Sequence, residues 1–220
     1  MSGKTQFINL HTHRKPQLVD ELVVRNAFLL PFEKLTQLPY SLSCGVHPWL
    51  ISNNHFEQLN HLEELIYQVP NVCALGECGL DRLKGPSLEI QLEVFGIQIQ
   101  LANHYKKPLI LHLVKSYSDF LAISSKIKVP FIIHGFKGNN HESKHLISKK
   151  ANLSFGPRLL TDLQLQETFK NVPLEMLYLE TDTKPISIKT VYQKAAELKN
   201  LSVDALRESI SNNFARDFKS

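Results

Sequence analysis

No apolar run in the sequence approaches the ~20 residues that span a bilayer. The opening Met1-Ser-Gly-Lys-Thr-Gln lacks the apolar core of a secretory signal. The expectation is a cytoplasmic protein without membrane spans. Only 3 cysteines occur, an odd count, and none form a Cys-x-x-Cys pair. That argues against a disulfide framework and excludes a zinc ribbon on spacing. Gly3-Lys4-Thr5 lacks the earlier glycine of a phosphate loop, and no glycine-rich turn follows the first strand-like run. Low-complexity segments and Pro/Gly/Ser-rich linkers are also missing.

What remains is the chemistry of an ordinary globular chain. Its 220 residues suffice for one well-filled core, read as one domain over 1–220. The net charge of +4 fits a polyanionic substrate without arguing for one, since pairs such as Lys106-Lys107 and Lys149-Lys150 read as solvated surface charge.

Short apolar runs alternate with stretches of helical period. Eight of the runs read as strands: Phe7–His13, Leu22–Phe28, Tyr40–Val46, Val72–Leu80, Pro108–Leu113, Val129–Phe136, Ala151–Gly156 and Met176–Asp182. Helices are predicted over Asn53–Val69, Ser87–Tyr105, Ser116–Ile127, His141–Lys149, Asp162–Phe169, Val191–Leu198 and Val203–Phe214. In the first of these, Phe56, Leu59, Leu62, Leu65 and Ile66 share one face. Ser202 or Asp204 is placed to cap the last. Near-continuous apolar strands with helices between them predict an α/β fold with a parallel sheet covered on both faces. Eight such units point to a (β/α)8 TIM barrel, compact at this length. The link Arg14–Glu21 is too short for a crossover helix, so the barrel is expected to be trimmed or distorted. A doubly wound open sheet is the alternative architecture.

Chemistry collects at the C-terminal ends of these runs, where barrel enzymes carry their catalytic groups. His11 and His13 lie on one face of the first strand, ~6.5 Å apart along it. His47 ends the third run, Glu77 and Asp81 the fourth, His112 the fifth, His134 the sixth and Asp182 the eighth. With 10 histidines in 220 residues, so many at strand ends is a poor fit to chance. Buried imidazoles and carboxylates must be paired, ligated or wet. Six N/O donors exceed what one tetrahedral ion uses, which points to two divalent ions. His11, His13 and Asp182 would hold one ion and His112 and His134 the other, with Glu77 bridging. Simpler readings stand beside this one. His112 and His134 are also compatible with satisfied core histidines, Glu77 with an exposed turn, and Asp182 with a turn cap. His55, His61, His104, His141 and His145 fall in helical stretches and read as surface residues, and Cys78 as core.

His11-Thr-His13, Gly45-Val-His-Pro48, Gly76-Glu-Cys-Gly-Leu-Asp81, the His112 strand, His134-Gly-Phe-Lys-Gly138 and Glu180-Thr-Asp182 occur in the order and approximate spacing of the TatD-type hydrolases. Gln91, Phe95, Ala102, Asn213 and Phe218 also resemble that pattern. The resemblance spans essentially the whole chain. It implies a (β/α)8 barrel of the amidohydrolase superfamily, metal-dependent phosphodiester hydrolysis in DNA, and the ligands His11, His13, Glu77, His112, His134 and Asp182. Departures fall outside the ligand set. Asn9 stands where the family usually has an acid, Leu113-Val114-Lys115 follows the strand-five histidine in place of Ser-Arg, and Thr183-Lys-Pro-Ile-Ser187 is much shortened.

The expected activity is that of a metal-dependent deoxyribonuclease whose water is activated by two ions (Mg, Mn, Zn or Ni). Glu77 would bridge the ions and Asp182 would accept the proton. His47, Lys115 and Arg158 are candidate contacts to a DNA or other phosphodiester substrate. A monomer is expected. Amide, lactone or aminoacyl-tRNA ester hydrolysis on the same centre, or metal binding without turnover, are the alternatives.

Overall fold

The computed structural model describes residues 5–27 and 32–218. Gly3 and Lys4, and the end of the second predicted strand at Phe28, lie outside the described residues. Eight strands are hydrogen-bonded neighbours in chain order: β1 (Phe7–Thr12), β2 (Glu21–Asn26), β3 (Ser41–Cys44), β4 (Val72–Asp81), β5 (Leu109–Val114), β6 (Phe131–Ile133), β7 (Asn152–Phe155) and β8 (Leu177–Leu179). Every register recorded between them is parallel. The helices are α1 (Phe32–Leu35), α2 (His55–Gln68), α3 (Leu88–Tyr105), α4 (Tyr117–Ser124), α5 (Asn140–Ser148), α6 (Leu163–Asn171), α7 (Ile188–Lys199) and α8 (Val203–Asp217). This is the (β/α)8 barrel arrangement. It is trimmed as expected: no helix joins β1 to β2, and among the described residues only the single turn of α1 lies between β2 and β3.

The described chain divides into two compact units, one made of the residues up to Arg25 with those from His134 on, the other running from Asn26 to Ile133. In the first unit the last strand returns beside the first. A parallel bridge joins Thr12 to Asp182, the Asp182 amide donates to the His11 carbonyl at 3.0 Å, and the His13 amide donates to the Asp182 carbonyl at 3.2 Å. Helix α7 is fastened to β1 by the Tyr192 hydroxyl, which accepts from the Ile8 amide and donates to its carbonyl, both at 3.1 Å. Asn213 on α8 donates to the carbonyls of Leu174 and Leu177 and fixes the entry to β8. Ser202, the predicted cap, accepts from the Ala205 amide.

Asn9, the first of the departures from the family pattern, has a definite role in this unit. Its Nδ2 donates to Glu21 Oε1 at 2.8 Å and Thr181 Oγ1 at 2.9 Å, while its Oδ1 accepts from the Thr181 amide at 3.0 Å. The carboxylate comes instead from Glu21, which also accepts from the Gln17 and Leu18 amides in the helix-free link. An amide can donate to Glu21 and accept from Thr181 at once; an aspartate cannot without a proton. Asn9→Asp should therefore set two carboxylates in contact at a buried site and cost about 1–3 kcal/mol. Thermal denaturation of the variant against the parent reads this directly.

In the second unit β4 is buried along nearly its whole length, as a strand covered on both faces requires. The long helix α3 buries Gln91 and Gln98 among Val94, Phe95, Ile99 and Ala102. Buried amides persist only when satisfied. Gln98 accepts from the Val46 amide at 2.8 Å and donates to the Val46 carbonyl at 3.1 Å. Gln91 exchanges the same pair of bonds with the backbone of Asp81. The two glutamines thus pin the chain beside His47 and at the end of β4. Phe56 differs from its predicted place on the buried face of α2. It lies in the first turn, is 57% exposed and packs against the His55 ring, while Leu59, Leu62, Leu65 and Ile66 carry the burial. His55, His61, His104, His141 and His145 all lie on helices and none is buried.

Candidate metal centre

Each unit carries its own cluster of donors. In the first, His11 is buried at the end of β1, and His13, one residue beyond it, is half exposed. Their rings meet edge to face with centroids 5.3 Å apart. Asp182 Oδ1 lies 3.8 Å from His11 Nε2 and 3.6 Å from His13 Nε2. These separations are long for hydrogen bonds. They suit the edges of a coordination shell, because bonds of ~2.1 Å arranged tetrahedrally put ligand atoms ~3.4 Å apart. The backbone bonds that tie Asp182 between His11 and His13 produce this convergence. Asp182 has φ of +51°, a left-handed conformation that aspartate tolerates better than most residues. Thr12 Oγ1 adds a bond to its carbonyl.

His134, just past β6, lies against His11 with ring centroids 4.4 Å apart. Its Nδ1 is 3.3 Å from Glu180 Oε1, which also accepts from the Gly135 amide at 2.9 Å, while Ser154 Oγ donates to Oε2 at 2.5 Å. A carboxylate accepting from Nδ1 leaves Nε2 as the nitrogen whose lone pair can bind an ion. Burial alone would push the Glu180 carboxyl up. The His134 hydrogen bond and charge, aided by His11 and Ser154, outweigh it and hold the carboxyl below its usual range. Glu180 was legible only as part of the Glu180-Thr-Asp182 motif. Its position two residues before Asp182, on the same side of an extended chain, is the signal that marks it.

In the second unit Glu77 is buried on β4 with Oε1 2.9 Å from His112 Nδ1 and 3.2 Å from His47 Nε2. One ligand atom from each of the three residues fits within a 4.8 Å span. The His112 Nε2 meets Asp81 Oδ2 at 3.0 Å, so a carboxylate orients the imidazole from behind. Burial opposes the charge on Asp81, but bonds to His112, Trp49 and the Leu83 amide together hold its carboxyl below the usual range. Gly79, with φ of +136°, lies where β4 runs against the His112 backbone and a Cβ would overlap the His112 carbonyl. That contact brings the two strands close enough for Glu77 and His112 to meet.

His47 behaves differently from the other histidines. Its Nδ1 accepts from the Trp49 amide at 3.1 Å, so the ring proton sits on Nε2 and points at Glu77. A ring holding that tautomer is a donor, which matches a substrate contact better than a metal ligand. Lys115, directly after β5, is exposed. Arg158, on the turn after β7, is exposed with its Nε bonded to Asp162 at 2.8 Å. Cys44 offers no thiolate chemistry, because burial and then the neighbouring Cys73 push its thiol up to about 12.

Imidazole and carboxylate clusters at strand ends of a (β/α)8 fold are the architecture of metal-dependent hydrolases. The family model for TatD-related DNases matches residues 28–219, and the chain belongs to that family. The matched span begins after His11 and His13. The chain is 32% identical over 163 residues to a TATDN1 homologue of Vairimorpha ceranae, covering 73% of this chain and 57% of that protein. It is 30% identical over 195 residues to YcfH of Escherichia coli K12, named an uncharacterized metal-dependent hydrolase, covering 80% of this chain and 72% of that one. The solved structure of the E. coli TatD homologue YjjV superposes with a TM-score of 0.83 at 20% identity, over 99% of this chain and 100% of that one, and so shares the fold. Among the described residues no helix is long and apolar enough to cross a membrane.

Proposed function

We propose that residues 1–220 act as one hydrolase domain that cleaves phosphodiester bonds in DNA with two divalent ions. The observation that carries this reading is the Asp182 carboxylate poised 3.8 and 3.6 Å from the Nε2 atoms of His11 and His13. The family's description as DNases and the naming of YcfH as a metal-dependent hydrolase support the reaction class. The proposed ligands are His11, His13, Glu77, His112, His134 and Asp182. Their nitrogen-rich donor set suits Zn, Mn or Ni, and Mg with water completing its shell.

The ions, when bound, polarise a phosphoryl oxygen and make water acidic enough to attack near neutral pH. The protein's part is orientation and proton transfer. Asp182, held on both sides by backbone bonds, accepts the proton of the attacking water. Glu77, 3.2 Å from the His47 ring and 2.9 Å from the His112 ring, is the carboxylate that this proposal gives to the ions from β4. His47 is the substrate contact, its Nε2–H exchanging the Glu77 carboxylate for a substrate oxygen. Lys115 offers a compact positive charge to the phosphate. Arg158 does so on exchanging its Asp162 partner, a pair weak enough at the surface to be exchanged. In this reading the chain works as a monomer.

The test strips the purified protein with chelator and measures hydrolysis of single- and double-stranded DNA with Mg, Mn, Zn or Ni restored. Activity should vanish with chelator and return with metal, with about two ions per chain by elemental analysis. Hydrolysis that continues at the full rate in excess chelator would sink the proposal.

A further inference from the structure

Trp49 is the only tryptophan in the chain. It is 45% exposed, yet it is held on every side the structure records. Its indole Nε1 donates to Asp81 Oδ2 at 2.6 Å, the same oxygen that His112 Nε2 meets. Its ring stands edge to face on His47 and His112, with centroids 4.9 and 5.5 Å away. The Lys84 ammonium sits 3.8 Å from the ring centroid. The turn carrying Lys84 is fixed as firmly as the indole. Asp81 Oδ1 accepts from the Leu83 and Lys84 amides, and Gln91 Nε2 donates to the Lys84 and Pro86 carbonyls. Gly85, with φ of +98°, presses against the Pro48 carbonyl with no room for a Cβ. One carboxylate, Asp81, therefore sets the His112 imidazole, a half-exposed aromatic face and the backbone of a lysine in a fixed relation, and leaves the lysine side chain free to turn.

A rigid aromatic face with a cation over it, next to a phosphoryl-handling centre, matches a nucleotide: base on the ring, phosphate on the ammonium. Stacking is open to any base, but only to one not already paired inside a duplex. We propose that Trp49 is a nucleobase-stacking platform beside the Glu77–His112 cluster, with Lys84 swinging from the ring to the phosphate of the stacked, unpaired nucleotide. The proposal rests on the nuclease reading and names the part of the substrate that this corner holds. Lysine's flexible stem and point charge suit a contact that moves as the base arrives.

Because Trp49 is the sole indole, its emission reports on this corner alone. The full-length protein, in chelator so that nothing is hydrolysed, is titrated with a short single-stranded oligodeoxynucleotide and with an abasic strand of equal length and charge. The base-bearing strand should quench the emission and the abasic strand should not. Binding of a fluorescein-labelled strand, read by anisotropy, should weaken about tenfold in Trp49→Ala and be largely restored in Trp49→Phe. Lys84→Gln should lower the salt slope of binding by about one. Circular dichroism checks that each variant is folded, and Trp49→Phe keeps the test valid if Trp49→Ala is not. Equal quenching by both strands, no quenching, or parent affinity in folded Trp49→Ala overturns the platform. Metal-dependent hydrolysis by the parent protein is scored separately. Base-dependent quenching without hydrolysis supports the platform and sinks the nuclease reading, whereas hydrolysis without it sinks the platform alone.

Discussion

Asp182→Asn is expected to lower metal-dependent turnover by about 10²–10⁴-fold, the range lost when a positioned acid–base group is removed. Asparagine is the informative replacement because the backbone here is left-handed, at φ of +51°, and asparagine accepts that conformation as readily as aspartate does. Alanine would confuse lost charge with added strain. The bonds that place residue 182 are made by its own amide and carbonyl, to His11, His13 and Thr12, and they survive the change. The side chain is partly exposed, so the metal-free variant should melt within a few degrees of the parent. What is lost is a negative oxygen facing His11 and His13. Elemental analysis should show metal content reduced along with turnover. Parent turnover at parent metal content would remove Asp182 from both of its proposed roles.

The fold was readable because a parallel strand covered on both faces writes a continuous apolar run, and helices write a different period. Val72–Leu80 and Pro108–Leu113 therefore land within a residue or two of the observed strands. The run Val129–Phe136 predicts more strand than β6 contains, because His134 and Gly135 leave the ladder to reach Glu180. That departure is the functional part of the segment, and apolar pattern says nothing about it. The histidines were visible as strand-end residues. The roles of their supporting groups were not, since Asp81 and Glu180 act through contacts with His112 and His134, far away in sequence. Trp49 was silent for a related reason. A lone aromatic after His-Pro looks like packing until the structure exposes its face and places Lys84 above it.

Glu180→Ala should produce the largest change in stability of any single substitution around the first cluster. Glu180 is fully buried, and the change removes the acceptor for three donors at once: the Gly135 amide, the Ser154 hydroxyl and His134 Nδ1. Removing one side of a buried charged network typically costs 3–5 kcal/mol, since the donors left behind stay desolvated. For a chain of this length that is roughly 6–20 °C in melting temperature. The functional consequence is separable from the loss of stability. Without Glu180 the His134 imidazole loses the partner that selects its tautomer and holds its ring against His11. Metal affinity should fall about 10–100-fold, the usual cost of losing a group that orients a ligand histidine. Titrating the metal well below the melting temperature of the variant separates the two effects. Ser154→Ala provides the contrast, because it removes one donor to the same carboxylate and leaves the His134 contact in place. It should lower the melting temperature modestly and leave metal affinity near that of the parent. If Glu180→Ala binds metal like the parent while melting early, Glu180 serves the core alone and His134 needs no partner to be held in register.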